Sequence, residues 1–334
     1  MKVNDSVLPT VRPLADFNVV ADAPPPPEKV PEVHAAFSLS QLLDHSVKTL
    51  GHHVENLLKS SPNTSGIRSQ MWARQLGQFG SVATYCLQTL PMEQRQKLFD
   101  EQKRIERSLS AMSVPAEIAD DLDAGVKSSN DFFDKLLELI DLIKNGYLAG
   151  YEHIIAAYSE FFKDFNAEIT AKMKDWIEGA DEGKEVKLNA GALRRALETL
   201  LQKYSHPNPA SVLFPKPGQG GASREEAEKW REALGLPASC LKQNADGTWC
   251  VVIDTGPLSK MAEGLPLFGT VTWDTAKFQA WQTGFNAQEE RMKNMLQSFT
   301  QKYSNANSYH DNFNKTLSSH LSQFADMLKA MLNF

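Results

Sequence analysis

The residues best suited to chemistry in this 334-residue chain are a glycine loop, a histidine group, paired carboxylates and three cysteines. Gly218-Gln219-Gly220-Gly221 precedes a helical pattern, as phosphate-binding loops do, because free backbone N–H groups at a helix start attract anions. The Lys-Ser/Thr pair that would meet the phosphate is missing and no apolar strand leads into the loop, so it reads as a turn. His45, His52 and His53 fall within two helical turns with Glu55 nearby. These are metal-donor types, but they sit beside an apolar stripe where solvent-facing histidines are common, and we assign no metal.

Cys86, Cys240 and Cys250 form no CxxC pair and have no histidine at zinc-like spacing. Cys240 and Cys250 flank a hairpin pattern and are open to two readings, a bridge formed after export or two reduced, half-buried thiols. Asp120-Asp121 and Glu289-Glu290 lie in polar stretches that offer none of the burial needed to shift a carboxylate toward acid/base work. No Gly-x-Ser-x-Gly elbow and no HExxH motif occurs. The chain is read as a non-enzyme without catalytic residues or cofactor.

The net charge of −6 and the lack of a Lys/Arg run argue against nucleic acid, whose phosphates require a basic stripe. The most apolar window, 132–143, is interrupted by Asp134, Lys135, Glu138 and Asp141, which rules it out as a bilayer span. The first thirty residues hold no apolar signal-peptide core. The protein therefore stays inside or leaves by a route that reads an unfolded N-terminus.

The elements that carry these residues are mainly helical. Residues 1–36 contain Pro9, Pro13, Pro24 to Pro27 and Pro31 and read as a flexible leader. From Ser38, apolar residues at spacings of three and four predict helices to Leu58, from Ile67 to Leu90, and from Met92 to Met112, which we group as an N-terminal helical hairpin over 37–125. Asn130 is placed as the N-cap of a helix to Trp176 with Ile140, Ile143, Tyr147, Ile154, Tyr158 and Phe165 on its seam. Runs of consecutive fours predict stutters in a coiled coil. Residues 274–334 supply a matching seam through Trp281, Phe285, Phe299, Tyr303, Phe313 and Leu317. Two long exposed seams would aggregate, so they are expected to pack on each other within one chain, with an intermolecular coiled coil as the alternative. Between them, residues 177–273 read as a small mixed α/β insert: a strand at 185–188, a helix at 192–204, a short element at 212–214, a helix from Ser223 to Gly235, a hairpin of 240–243 and 248–254 around Asn244-Ala245-Asp246-Gly247, and a further strand at 269–273. The expected fold is mainly α: a long intramolecular antiparallel coiled coil with an N-terminal helical hairpin and an inserted small mixed α/β domain.

Several segments resemble the type III secretion needle-tip proteins of the IpaD, SipD and BipD type. They are Phe278-Gln279-Ala280-Trp281-Gln282-Thr283-Gly284-Phe285, Gln288-Glu289-Glu290 and Gln301 to Ser308 in the last helix; Tyr147-Leu148, Tyr151-Glu152, Tyr158 and Phe161-Phe162 in its partner; and Val212 to Pro215, Leu236-Pro237 and Cys240-Leu241 in the insert. The resemblance implies export through the type III apparatus and assembly at the needle tip on the bacterial surface, as a pentamer. It also implies control of effector secretion, sensing of host signals that include bile salts in some members, a self-chaperoning hairpin, and a platform for the hydrophobic translocators. The needle subunit is expected to dock at the lower end of the coiled coil, where Asn314, Lys315, Ser318, Ser319, Ser322, Gln323 and Asp326 lie off the seam. The other class considered is an α-helical pore-forming toxin or membrane-active secreted protein. The mixed insert and the lack of an apolar hairpin count against it.

Overall fold

A computed structural model of the chain describes residues 41–49, 52, 66–112, 114–119 and 132–332. The predicted leader, the turn at 60–63 and the proposed cap Asn130 lie outside these residues, as do His53 and Glu55. Residues 41–49 are helical. They are followed in the chain by α1 (Gly66–Thr89) and α2 (Met92–Ser110), separated at Pro91, which has no N–H to continue a helix.

The first long helical run is α3 (Phe132–Asp141), a π-helical stretch Leu142–Leu148, α4 (Ala149–Phe165), a second π-helical stretch Asn166–Thr170, and the short α5 (Met173–Trp176). Its partner is α9 (Thr275–Leu332), a single helix of 58 residues, which at 1.5 Å per residue extends about 85 Å. The two π-helical stretches answer the sequence pattern. Phe161, Phe165, Ile169 and Met173 recur every four residues, and in a pure α-helix each such step would rotate the seam by about 40°. A wider turn returns Ile169 to the core, where it is fully buried.

Ring contacts fix the direction of the pairing. Phe133, Tyr147, Tyr158 and Phe165 meet Phe324, Tyr309, Phe299 and Phe285 in turn, with centroids 6.1, 6.2, 5.1 and 6.4 Å apart. As one helix ascends the other descends, so the coiled coil is antiparallel and intramolecular. Edge-to-face contacts such as Tyr158–Phe299, at 84°, suit the ring quadrupoles.

The insert holds two three-stranded antiparallel sheets. One orders β1 (Ile177–Ala180), β2 (Glu185–Leu188) and β6 (Val271–Asp274), and so ties the exit of the first helical run to the entry of α9. The other orders β3 (Val212–Phe214), β5 (Trp249–Val252) and β4 (Leu241–Gln243). Between the strands lie α6 (Ala190–Lys203), α7 (Arg224–Leu234) and α8 (Gly256–Ala262). Ser223 caps α7 by accepting from the Glu226 N–H at 3.1 Å, and Gly235 ends it at φ 69°. Two elements escaped the sequence reading. β1 is short, half exposed and contains Gly179; α8 opens with Gly256-Pro257, which looks like a loop but suits the first turn of a helix.

Candidate assembly surface on the coiled coil

Ile143, Ile154, Phe165 and Phe299 are fully buried, and Tyr147, Tyr158, Phe285, Phe313 and Leu317 are nearly so. Ile140, Trp281 and Tyr303 are half-buried at the margin of the same core. The Tyr158 hydroxyl donates to the Met292 carbonyl at 3.3 Å, and the Tyr303 hydroxyl to Glu152 at 3.4 Å. Burial pushes the Tyr147 and Tyr158 hydroxyls well above the ordinary tyrosine range, so both stay neutral inside the seam.

The polar positions expected to form one free docking face do not share one environment. Asn314 is half-buried, with its side-chain amide 3.1 Å from the His310 ring. Ser318 is also half-buried. Gln323 accepts from the Arg104 guanidinium of α2 at 3.2 Å. Lys315, Ser319, Ser322 and Asp326 are exposed. α2 lies along the C-terminal part of α9 and takes up part of its outer face. Leu98, Ile105 and Leu109 of α2 are buried in the common core, and His320 of α9 meets the Ser108 hydroxyl at 2.9 Å.

The residues that seat α1 and α2 were not singled out from the sequence. Arg104, Ser108 and His320 look like ordinary solvated positions in an amphipathic pattern. Gly80 carried the one available signal, a residue with poor helix propensity inside a helix. A β-carbon there would stand 2.8 Å from the Phe133 ring, so only glycine lets α1 approach α3. At the end of the last helix, Lys329 pairs with Asp44 at 2.7 Å and holds that carboxyl below its ordinary range.

His310 lies at the level of the first π-helical stretch. Burial holds its imidazole below the ordinary histidine value, and the positive charge of Lys144 works in the same direction while Asp311 opposes it. Burial also lowers the Lys144 ammonium.

The insert docks through Trp230 of α7, whose indole contacts the Tyr151 ring at 5.2 Å and stacks on Phe214 at 4.7 Å. Asp254 is buried and accepts from Arg291 of α9 at 2.8 Å and from the Gly256 N–H at 2.9 Å. Beside Arg291, the end of α7 and the middle of α9 line an open cleft of about 690 Å³ with Leu234, Met295 and Lys302.

The glycine loop forms a turn, with Gly218 and Gly220 at positive φ and Gly221 flush against Thr248. Cys250 stands opposite Lys242 in the hairpin, and Cys86, Cys240 and Cys250 are all free and buried. Among the described residues no three His, Cys, Asp or Glu side chains gather as a metal site. Among them, too, no helix is long and apolar enough to cross a membrane.

A family model described as type III secretion systems tip complex components matches residues 57–332. The chain belongs to that family. It is 41% identical over 211 residues to the cell invasion protein SipD of Salmonella typhi, a match that spans 61% of this chain and 62% of the relative. It is 37% identical over 226 residues to the invasin IpaD of Shigella flexneri, spanning 66% and 65%. Both matches thus cover less than two thirds of the relative's length. Among solved structures, the pathogenicity island 1 effector protein of Chromobacterium violaceum aligns with a TM-score of 0.58 at 29% identity, over 86% of this chain and 97% of that one.

Proposed function

We propose that this protein is exported by a type III secretion apparatus and caps its needle at the bacterial surface. There it restrains effector secretion until a host signal arrives and offers a platform on which the hydrophobic translocators assemble. Several copies, five in the reading favoured by the resemblance, form the cap, and the lower end of the coiled coil meets the needle subunit. The role is one of assembly and gating, without catalysis.

The observation that carries this reading is the seating of α2 on α9. The contact combines a buried apolar row with exchangeable polar bonds, Arg104 to Gln323 and Ser108 to His320. A cover of that kind keeps a long apolar seam from associating before assembly, which is the self-chaperone role assigned to residues 37–125. Deleting that segment tests it. Sedimentation should show the shortened chain associating with rising concentration while the full chain stays monomeric; a shortened chain that stays monomeric would remove the chaperone role.

The bile-salt response belongs to the same proposal. The cleft between α7 and α9 offers Leu234 and Met295 to an apolar steroid face, with Lys302 for its acidic group. Titration with deoxycholate should perturb these residues in the intact protein and should weaken in Lys302→Glu.

A further inference from the structure

We propose that the loop from Gly264 to Gly269 is a contact point for a lipid surface, made through the side chains of Leu267 and Phe268. These two residues are 54% and 76% exposed and adjacent. Among the described residues, the other strongly exposed large apolar side chains, Leu42, Tyr85, Met92 and Phe99, all belong to the N-terminal helices.

The exposure is built in. Gly191, at the start of α6, donates to the Gly269 carbonyl at 2.9 Å, and a β-carbon on Gly191 would stand 2.8 Å from the Gly269 nitrogen and 2.9 Å from the Phe268 α-carbon. Arg194 of α6 donates to the Leu265 carbonyl, and Leu265 itself is buried. Pro266 restricts the backbone between them. The loop is thus anchored by its main chain and by Leu265 while the next two side chains point outward. A loop free to collapse would cover them.

Two features select a lipid surface over a protein. The two side chains offer on the order of 300 Å², about half of the ~600 Å² per partner at which stable protein interfaces begin, so this projection is too small to hold a second copy or a folded partner alone. A bilayer interface asks for no such complementary area, only for apolar groups free of charges that must be desolvated. From Gly264 to Trp273 the chain carries no charged residue. With a net charge of −6 and no basic cluster, the matching surface is a zwitterionic one. Repetition in the proposed tip assembly would add to the contact, which does not depend on needle docking.

The test is flotation of the intact chain with phosphatidylcholine vesicles. Wild type should co-float, and the double variant L267S/F268S, with an unchanged melting temperature, should partition at least about tenfold more weakly, since two buried apolar side chains are lost. As a second readout, Phe268→Cys labelled with a polarity-sensitive dye should shift to the blue with vesicles, while the same dye at Gln282→Cys, on the exposed flank of α9, should not. The native thiols are buried and are spared the label. Absence of wild-type flotation, equal flotation of the double variant, or equal dye shifts at both positions would each overturn the assignment. Needle binding is measured separately and is not read by these assays.

Discussion

Gly150 and Trp230 are matched: a β-carbon at Gly150 would lie 2.8 Å from the indole ring, so the insert's helix α7 can seat on the coiled coil only because α4 lacks a side chain there. Gly150→Ala should therefore destabilise the protein despite the ~1 kcal/mol that alanine normally gains over glycine in a helix, because displacing a packed indole costs about 1–3 kcal/mol. Gly284 of α9, around which nothing lies within 4 Å of an added β-carbon, is the control. Gly284→Ala should stabilise by about 0.5–1 kcal/mol. Urea denaturation of both variants checks the pair, and a stabilised Gly150→Ala would refute the docking account.

The cysteines should be inert in the native state. Burial pushes the Cys240 thiol up to about 12, aided by the nearby Asp254 carboxylate, and raises Cys86 and Cys250 as well. Since the thiolate is the reactive form, a thiol reagent at neutral pH should label none of the three quickly and all of them after denaturation. Fast labelling of Cys240 in the folded protein would contradict its burial.

Acid should weaken the fold in two stages. His310 and His153 are held below the ordinary histidine value chiefly by burial, and His153 meets the Val212 carbonyl at 3.1 Å. The native state thus binds fewer protons than the unfolded chain below about pH 6.5. Their contribution is complete above that value and falls as pH drops through it toward their depressed native values. Asp164, held down first by Lys203, and Glu228, held down first by Arg231, follow at lower pH, their stabilisation lost below about pH 4. Thermal melting between about pH 7.5 and 5.5 should show the first stage, and His310→Gln should shrink it. An unchanged slope would place the effect elsewhere.

The exposed residues of the lower end give a cleaner docking test than the set read from sequence. Lys315→Glu with Asp326→Lys should leave helical content and stability within about 0.5 kcal/mol of wild type, as surface changes do, while abolishing needle binding. Gln323 is unsuitable for this purpose, since changing it also disturbs Arg104 of α2.

The seams were legible because burial at steps of three and four leaves a periodic record, and aromatic residues such as Tyr147, Tyr158 and Phe299 mark it strongly. Ser223 and Gly235 delimited α7 because capping and left-handed termination restrict residue type locally. Contacts between elements distant in sequence leave no such record. The fit of Trp230 over Gly150, of Phe133 against Gly80, and the hold of Arg104 on Gln323 depend on how helices come together. That is why α2 was not foreseen to occupy part of the predicted docking face.

Needle docking is assigned to the exposed lower end of α9, beside the covering helix α2. The most direct measurement is a titration of the isotope-labelled chain with its own needle subunit, read by backbone amide shifts. Saturable shifts are expected at Lys315, Ser319, Ser322 and Asp326 and along α2, with the insert's two sheets unmoved. Shifts confined to the insert, or none at needle concentrations where the subunit stays monomeric, would contradict that assignment.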